Sequence, residues 1–116
     1  MSYKVVLASS FKKCVKRLKK GYPRVNKDVT EVVHELVIDP TIGAVIPGGE
    51  GTRKIRVRNS DAGKGKRGGY RLIYFVSEGR EPLIYLLLLY SKADQSDVTQ
   101  QELSALLAEI SGDLEA

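Results

Sequence analysis

Two segments near the N-terminus repeat apolar residues at helical spacing. Lys4–Leu7, a short run with two β-branched valines, predicts a strand ahead of the first segment. Ser9 or Ser10 is the expected cap of that first helix, and Gly21 is its expected end. Its apolar stripe recurs at i, i+3, i+4 and i+7 and consists of Phe11, Cys14, Val15 and Leu18.

The second helix is expected to run from about Asn26 to the Asp39-Pro40 pair, which stops it. Asp28 lies in its first turn, where a carboxylate is favourable. The short turn between the two helices favours an antiparallel pair packed on a sheet. The apolar positions of the second helix are Val29, Val32, Val33, Leu36 and Val37.

A third helix is predicted close to the C-terminus. The polar stretch Ser91–Asp97 precedes it, and Thr99 and Glu102 have the spacing of a capping box. Its apolar face consists of Leu103, Leu106, Leu107, Ile110 and Leu114.

Between the helices the pattern changes to a period of two. In Lys54–Arg58 apolar and basic residues alternate, which predicts a strand with Ile55 and Val57 facing the core and the cations facing outward. Leu72–Val76 and Leu83–Tyr90 are apolar on both faces. We therefore expect these two segments to be neighbouring internal strands.

The order of these elements predicts an α+β fold. Thr41–Gly51, rich in glycine and proline, is expected to be a loop that crosses from the helices to the sheet. Short links join the last three strands, which should therefore be antiparallel. We expect a three- to four-stranded, mainly antiparallel sheet packed by two N-terminal helices, plus a C-terminal helix. The 116 residues suffice for a single domain, residues 1–116, and are too few for two.

The composition excludes several classes of protein. A hydrophobic content of 42% and a charged content of 28% argue against a disordered chain. The single cysteine rules out an internal disulfide and fits a reducing compartment. The longest apolar run, Leu83–Leu89, is far shorter than the roughly 20 residues of a membrane helix, so we expect a cytoplasmic protein with no membrane partner. No metal or other cofactor is expected, because neither a His/Cys cluster nor an acidic cluster is present.

Positive charge is concentrated in Arg53–Phe75. A net charge of +5 and a density of this kind attract polyanions, of which a phosphate backbone is the most common. Only Asp61 opposes the basic residues of this segment. Those basic residues are Arg53, Lys54, Arg56, Arg58, Lys64, Lys66, Arg67 and Arg71.

The glycines at 63, 65 and 68 match the G-x-G-x-x-G pattern, but they precede a strand instead of opening a helix. This context argues against a dinucleotide-binding fold. Two interpretations stay open: a flexible basic turn, or a bare backbone that a phosphate can approach closely. His34 is expected to be a structural or surface residue, and Cys14 a core residue. The lysines of the first helix form either a solvated face or an extension of the positive field toward an acidic partner.

Polar side chains are expected to gather at one edge of the sheet. Arg71 opens one internal strand, and Tyr90 and Lys92 end its antiparallel neighbour. These residues should therefore meet, together with the outward row of Lys54 and Arg56. In the alternative interpretation, Tyr90 only caps the core and the cations are merely exposed.

The segment that carries these cations resembles a known family. Lys54-Ile-Arg-Val, followed by Gly-Lys-Gly-Lys-Arg-Gly-Gly-Tyr-Arg-Leu-Ile-Tyr-Phe, is similar to the toxins of type II toxin–antitoxin modules, the RelE/HigB superfamily. The loop Pro40-Thr-Ile-Gly-Ala-Val-Ile-Pro-Gly and the Tyr90-Ser-Lys92 strand end are most similar to its HigB-like branch. The resemblance covers about Asp39 to Leu107 well and the N-terminal helices loosely.

The resemblance implies a compact, microbial-RNase-like fold and cleavage of mRNA, usually at the ribosomal A site, with inhibition of translation and growth. It also implies a cognate antitoxin that wraps and blocks the toxin, and contact with DNA only indirectly, through that antitoxin. Family positions carried over by the motif assign catalytic roles to Lys54, Arg56, Arg71, Tyr90 and Lys92. Some RelE members place an arginine and a tyrosine after the last strand, where this chain has Ala93, Gln95 and Thr99.

Chemistry suggests roles for these side chains. Lys54 or Lys92 is the candidate base, Arg56 and Arg71 would stabilise the phosphorane, and Tyr90 would donate a proton or stack on a base. The cations expected to hold the RNA backbone are Arg53, Arg58, Lys64, Lys66 and Arg67. Two alternatives stay open: a non-catalytic basic module that binds RNA or the ribosome, and a basic face that chiefly receives an acidic antitoxin segment.

Overall fold

The computed structural model describes residues 3–62, 69–94 and 97–115, and five strands and three helices are formed within them. The predicted strand, two N-terminal helices, three further strands and C-terminal helix are all present. In chain order the elements are β1 (Lys4–Leu7), α1 (Ser9–Leu18), α2 (Val25–Ile38), β2 (Ala44–Val45), β3 (Thr52–Val57), β4 (Tyr70–Ser77), β5 (Leu83–Ser91) and α3 (Gln100–Glu115).

The strands form one mixed sheet in the order β1-β5-β4-β3-β2. The α+β class and the central antiparallel set are confirmed: β4 pairs antiparallel with β3 on one side and with β5 on the other. The strand count of three to four was too low. β1 pairs parallel with β5 at one edge, and the two-residue β2 pairs antiparallel with β3 at the other, inside the segment expected to be a loop.

Each face of the sheet carries its own hydrophobic core, because side chains alternate between faces along a strand. α1 and α2 cover one face, on which Tyr70, Leu72 and Tyr74 of β4 pack against residues such as Phe11 and Leu36. α3 covers the other face. Its buried Leu103, Leu106 and Ile110 pack there with Ile73, Tyr85, Leu87 and Tyr90.

The first helix begins without the expected side-chain cap. Ala8 is the N-cap of α1, and no side chain caps that helix. Ser10, which was expected as a cap, instead donates a hydrogen bond to the Leu87 carbonyl 2.6 Å away, and Ser9 bonds to Glu109 of α3. Both serines therefore tie α1 to the rest of the molecule, and the prediction of a serine cap was wrong.

The start of α3 agrees with the sequence pattern. The Thr99 hydroxyl accepts a hydrogen bond from the Glu102 backbone N–H at 3.1 Å, and the Glu102 carboxylate accepts one from the Thr99 N–H at 3.0 Å. This reciprocal pair is the capping box. No described helix is both long enough and apolar enough to cross a membrane.

Two side chains, Tyr74 and Arg53, fasten the loop before β2 through hydrogen bonds. The Tyr74 hydroxyl donates to the Pro40 carbonyl at 2.7 Å and accepts from the Gly43 N–H at 2.9 Å. Arg53 donates to the carbonyls of Thr41 and Gly43 at 3.1 and 2.7 Å. Only glycine fits at position 43, since a Cβ there would lie 2.6 Å from the Tyr74 oxygen.

The segment that leaves β3 is anchored to the beginning of α2. Asp28, buried in the first turn of that helix, accepts hydrogen bonds from the backbone N–H and the hydroxyl of Ser60. Asp61 accepts from the backbone and side chain of Arg24 at 2.9 and 3.0 Å. The C-terminal end of the basic strand β3 is thereby fixed against the start of α2.

Candidate active site

Three of the predicted site residues form one row across the sheet. The strand register places Arg56 opposite Arg71, and Arg71 opposite Tyr90. Directly opposed residues share a face and have Cα atoms about 4.5–5.5 Å apart. Arg71 lies two residues before Ile73 in β4 and therefore points to the same face, and Ile73 packs beneath α3, so the row lies on the α3 face of the sheet.

Lys54 lies on the same face, one pleat further along β3. It is opposite Ile73, and its Cα is about 7 Å from that of Arg56 at the usual strand rise. Lys92 follows the end of β5, where its backbone N–H donates to the Gly69 carbonyl at 3.0 Å. Its side chain is exposed, whereas that of Lys54 is 35% exposed. All five residues to which catalytic roles were assigned thus surround one end of the β3–β4–β5 sheet.

Arg71 and Tyr90 are held by burial. Arg71 is 8% exposed, and its guanidinium donates to the Tyr70 carbonyl at 3.1 Å. Tyr90 is 5% exposed and packs into the hydrophobic core below α3. Tyr90 therefore packs into the core and lies opposite Arg71 in the row.

The Tyr90 hydroxyl carries the proton that the proposed chemistry would need. Burial raises the pKa of this phenol, the nearby Asp97 carboxylate raises it further, and Arg71 acts in the opposite direction. The phenol is therefore neutral at physiological pH. Its oxygen is buried, and no hydrogen bond of ordinary geometry reaches it from the described residues.

Asp97 is the residue that the sequence pattern missed. Its carboxylate accepts a hydrogen bond from the Val98 N–H at 2.8 Å and forms an ion pair with Lys54 at 3.3 Å. The first of these contacts, together with Lys54 and Lys92, lowers the pKa of Asp97. An acidic residue within a polar stretch, seven positions after Tyr90, carries no sequence signal that predicts such contacts.

A cleft of about 370 Å³ borders the site. Lys54, Asp97 and Val98 form one side of it, and the β2 region forms the other. Gln100 and Leu103, from the first turns of α3, line it as well. The capping box lies at the same end of α3 and begins two residues after Asp97.

Other predicted RNA-binding residues are placed differently. Arg53 pairs with Tyr74, so it lies on the opposite face of the sheet, the one covered by α1 and α2. Its guanidinium donates to the carbonyls of Thr41 and Gly43. Arg58 is exposed and lies just past β3, bordering a shallow cleft with Arg56 and Glu35. Lys64, Lys66 and Arg67 lie outside the described residues, as does the glycine pattern at 63, 65 and 68.

The remaining reactive side chains lie elsewhere. Cys14 is buried in the core between the sheet and α1, and His34 is exposed on α2. Among the described residues, no group of three or more His, Cys, Asp or Glu side chains could hold a metal ion.

Known proteins give a parallel for this architecture. No family model matches the chain. Among solved structures, the E. coli toxin RelE, determined as an arginine-to-alanine double mutant in the free state, matches with a TM-score of 0.57 and 21% sequence identity. The match covers 83% of this chain and 90% of the RelE chain. This chain has the fold of RelE.

The structure also places the positions expected to depart from the RelE pattern. Thr99 uses its hydroxyl to cap α3. Ala93 is exposed and offers no functional group, and Gln95 lies outside the described residues. In the described part of the site, Tyr90 supplies the phenol.

Proposed function

We propose that the protein is the toxin of a type II toxin–antitoxin module, of the HigB-like branch, and that it cleaves mRNA on the ribosome. The cross-strand row of Arg56, Arg71 and Tyr90, with Lys54 and Lys92 beside it, is the observation that carries this proposal. The fold it shares with RelE supports the same assignment. The outcome in the cell would be inhibited translation and arrested growth, relieved by a cognate antitoxin.

The proposed reaction uses the nucleophile that RNA itself contains. The 2′-hydroxyl oxygen attacks the adjacent phosphorus, the bond from phosphorus to the 5′-oxygen breaks, and a 2′,3′-cyclic phosphate and a 5′-hydroxyl end result. Arg56 and Arg71 would stabilise the negative charge of the phosphorane. Neutral Tyr90 would donate its proton to the departing 5′-oxygen, a role that typically contributes about 10²–10⁴-fold.

The proton of the 2′-hydroxyl would pass to Lys54 or Lys92. In the free protein Lys54 holds Asp97 as an ammonium, and an ammonium has no lone pair with which to accept a proton. Catalysis would therefore depend on how the substrate is positioned, which is the contribution expected of the ribosome. We expect slow cleavage of naked RNA and faster cleavage of a message in the A site.

One experiment tests the reaction itself. A ribosome-bound message is incubated with the protein, and new 5′ ends are mapped by primer extension. A matched message carries a single 2′-deoxy nucleotide at the mapped position. The proposal predicts cleavage of the first message and resistance at that one position in the second. Equal cleavage of both would contradict attack by the 2′-hydroxyl.

A second function is favoured by one observation: the Lys54–Asp97 ion pair leaves that lysine without the lone pair of a base. A basic module that binds RNA or the ribosome without cleaving it would inhibit translation and yet generate no new 5′ ends. The primer-extension experiment separates the two functions directly.

For the antitoxin, the test is restored growth on co-expression together with a stable complex of the two proteins.

A further inference from the structure

We propose that Asp97 is a positioning residue of the candidate active site. Its carboxylate holds Lys54 as an ammonium beside the row that contains Tyr90, so that Lys54 would stabilise the charge of the phosphorane and Lys92 would be the base. This inference rests on the proposed nuclease function and adds to it a residue that neither the RelE-like motif nor the sequence pattern indicates.

The carboxylate is fixed by its own backbone. The Val98 N–H donates to Asp97 Oδ1 at 2.8 Å, and the same oxygen accepts from Lys54 Nζ at 3.3 Å. The next residue, Thr99, caps α3 through the reciprocal bonds with Glu102. Asp97 therefore has a defined position relative to a rigid helix, and through it Lys54 is tied to that helix across 43 positions of sequence.

The Asp97 carboxylate interacts with three of the predicted site residues. It forms an ion pair with Lys54 of β3, raises the pKa of the Tyr90 phenol, and is itself acted on by the charge of Lys92. These three residues come from separate positions, β3, the end of β5 and the turn after it. Asp97 is thus the described residue through which they are electrostatically linked.

The pair contributes too little to folding for stability alone to explain it. The Asp97 side chain is 63% exposed, and exposed ion pairs contribute about 0–1 kcal/mol. A negative charge in a site for a polyanion also weakens RNA binding, because it offsets one of the cations. A residue that opposes substrate binding and adds little stability fits a role in the chemical step, where placing Lys54 correctly outweighs the weaker affinity.

The test is the kinetics of Asp97→Asn on the ribosome-bound message. We expect kcat to fall at least tenfold, since the Lys54 ammonium loses its ion-pair partner, while KM stays constant or falls because a repulsive charge is gone. Asp97→Glu keeps the charge and should recover part of kcat. Loss of a purely structural residue would not be expected to lower kcat while KM stays constant or falls.

Two controls define the result. Asp94→Asn makes the same change of charge three positions earlier in the chain, and Asp94 forms no ion pair with the described residues, so the kcat of this variant should equal that of the wild type. In a Lys54→Met background, adding Asp97→Asn should cause no further loss, because the two residues act as one unit.

The outcomes are distinguishable. If the wild-type protein cleaves the message and Asp97→Asn has the same kcat, the inference is overturned and the nuclease proposal stays intact. The same holds if Asp94→Asn loses as much kcat as Asp97→Asn. A melting temperature that falls in parallel with kcat in both Asp97 variants would assign Asp97 to the fold and also overturn it. Absence of cleavage by the wild-type protein itself would overturn the nuclease proposal, and with it this inference.

Discussion

Two buried tyrosines on adjacent strands, Tyr74 and Tyr90, differ in what their hydroxyls contact. Tyr74 bonds to the Pro40 carbonyl and the Gly43 N–H, whereas the Tyr90 oxygen has no hydrogen bond of ordinary geometry from the described residues. A buried polar atom without such a partner is unfavourable for the fold, and its presence at a cationic row favours a role in binding or chemistry. The two hydroxyls therefore allow stability and activity to be tested separately.

Tyr90→Phe removes only the oxygen that would serve as the proton donor. We expect cleavage to fall by about 10²–10⁴-fold, the usual contribution of a positioned acid or base. The free energy of unfolding should stay the same or rise, since no protein hydrogen bond is lost and one buried polar atom disappears. Urea denaturation and single-turnover cleavage measure the two effects.

Tyr74→Phe is the matched control and should behave in the opposite way. The buried Pro40 carbonyl and Gly43 N–H would lose their partner, which costs about 1–3 kcal/mol. Cleavage by the folded fraction should be nearly normal. If the Tyr90 variant keeps wild-type cleavage, or if both variants lose activity equally, the role given to the Tyr90 hydroxyl is wrong.

At the scale of elements, two local devices determine where the site residues stand: the capping box that begins α3 and the anchor that ends β3. The first begins two residues after Asp97, at the end of α3 that lines the cleft beside Lys54. The second fastens Ser60 and Asp61 to α2 just before the undescribed basic segment. Each device has an effect that can be measured without reference to RNA.

Thr99→Ala removes the hydroxyl that caps α3. The expected loss in the free energy of unfolding is about 0.5–2 kcal/mol, because the Glu102 N–H loses its acceptor at the helix start. Thr99→Ser keeps the oxygen and should retain most of the stability. Chemical denaturation measures the difference, and a Thr99→Ala variant as stable as wild type would show that the cap contributes nothing.

Asp61→Asn tests the anchor through its pH dependence. Hydrogen bonds and charge from Arg24 lower the folded-state pKa of Asp61 below the unfolded value of about 3.9. The stabilisation is thus complete above that unfolded value and is lost as the pH falls through the folded one. Wild type should exceed Asp61→Asn in unfolding free energy at pH 7, and the gap should narrow at pH 3. A gap that is constant with pH would contradict this account.

Much of the architecture could be predicted from the sequence, because it follows from local pattern. The apolar runs of β4 and β5 lie a short turn apart, so antiparallel pairing follows, and with it the meeting of Arg71 and Tyr90. Parallel pairing of β1 with β5 joins segments about 80 residues apart and has no local signal. β2 is two residues long, below the length at which a period of two can be recognised.

The site follows less directly from the sequence than the fold does, for a physical reason. Side chains on paired strands are placed by register, which the apolar pattern sets, and this made Arg56, Arg71 and Tyr90 predictable. Asp97 lies outside regular structure, and its contacts depend on the path of the segment between β5 and α3. Arg53 was predicted to bind RNA, but its guanidinium is held by loop carbonyls on the other face, which residue type alone does not reveal.

For the whole molecule, the central claim is that the cations and the phenol on the α3 face act as one catalytic site. The most direct measurement is to induce wild type, Arg71→Ala and Arg80→Ala in growing cells, with 5′ ends of messages mapped and folding checked by circular dichroism. Arg80 is an exposed arginine at the turn between β4 and β5 and serves as the charge-matched control. We predict new 5′ ends and arrested growth with wild type and Arg80→Ala, and neither with a folded Arg71→Ala. Full toxicity and unchanged 5′ ends with Arg71→Ala would contradict the claim.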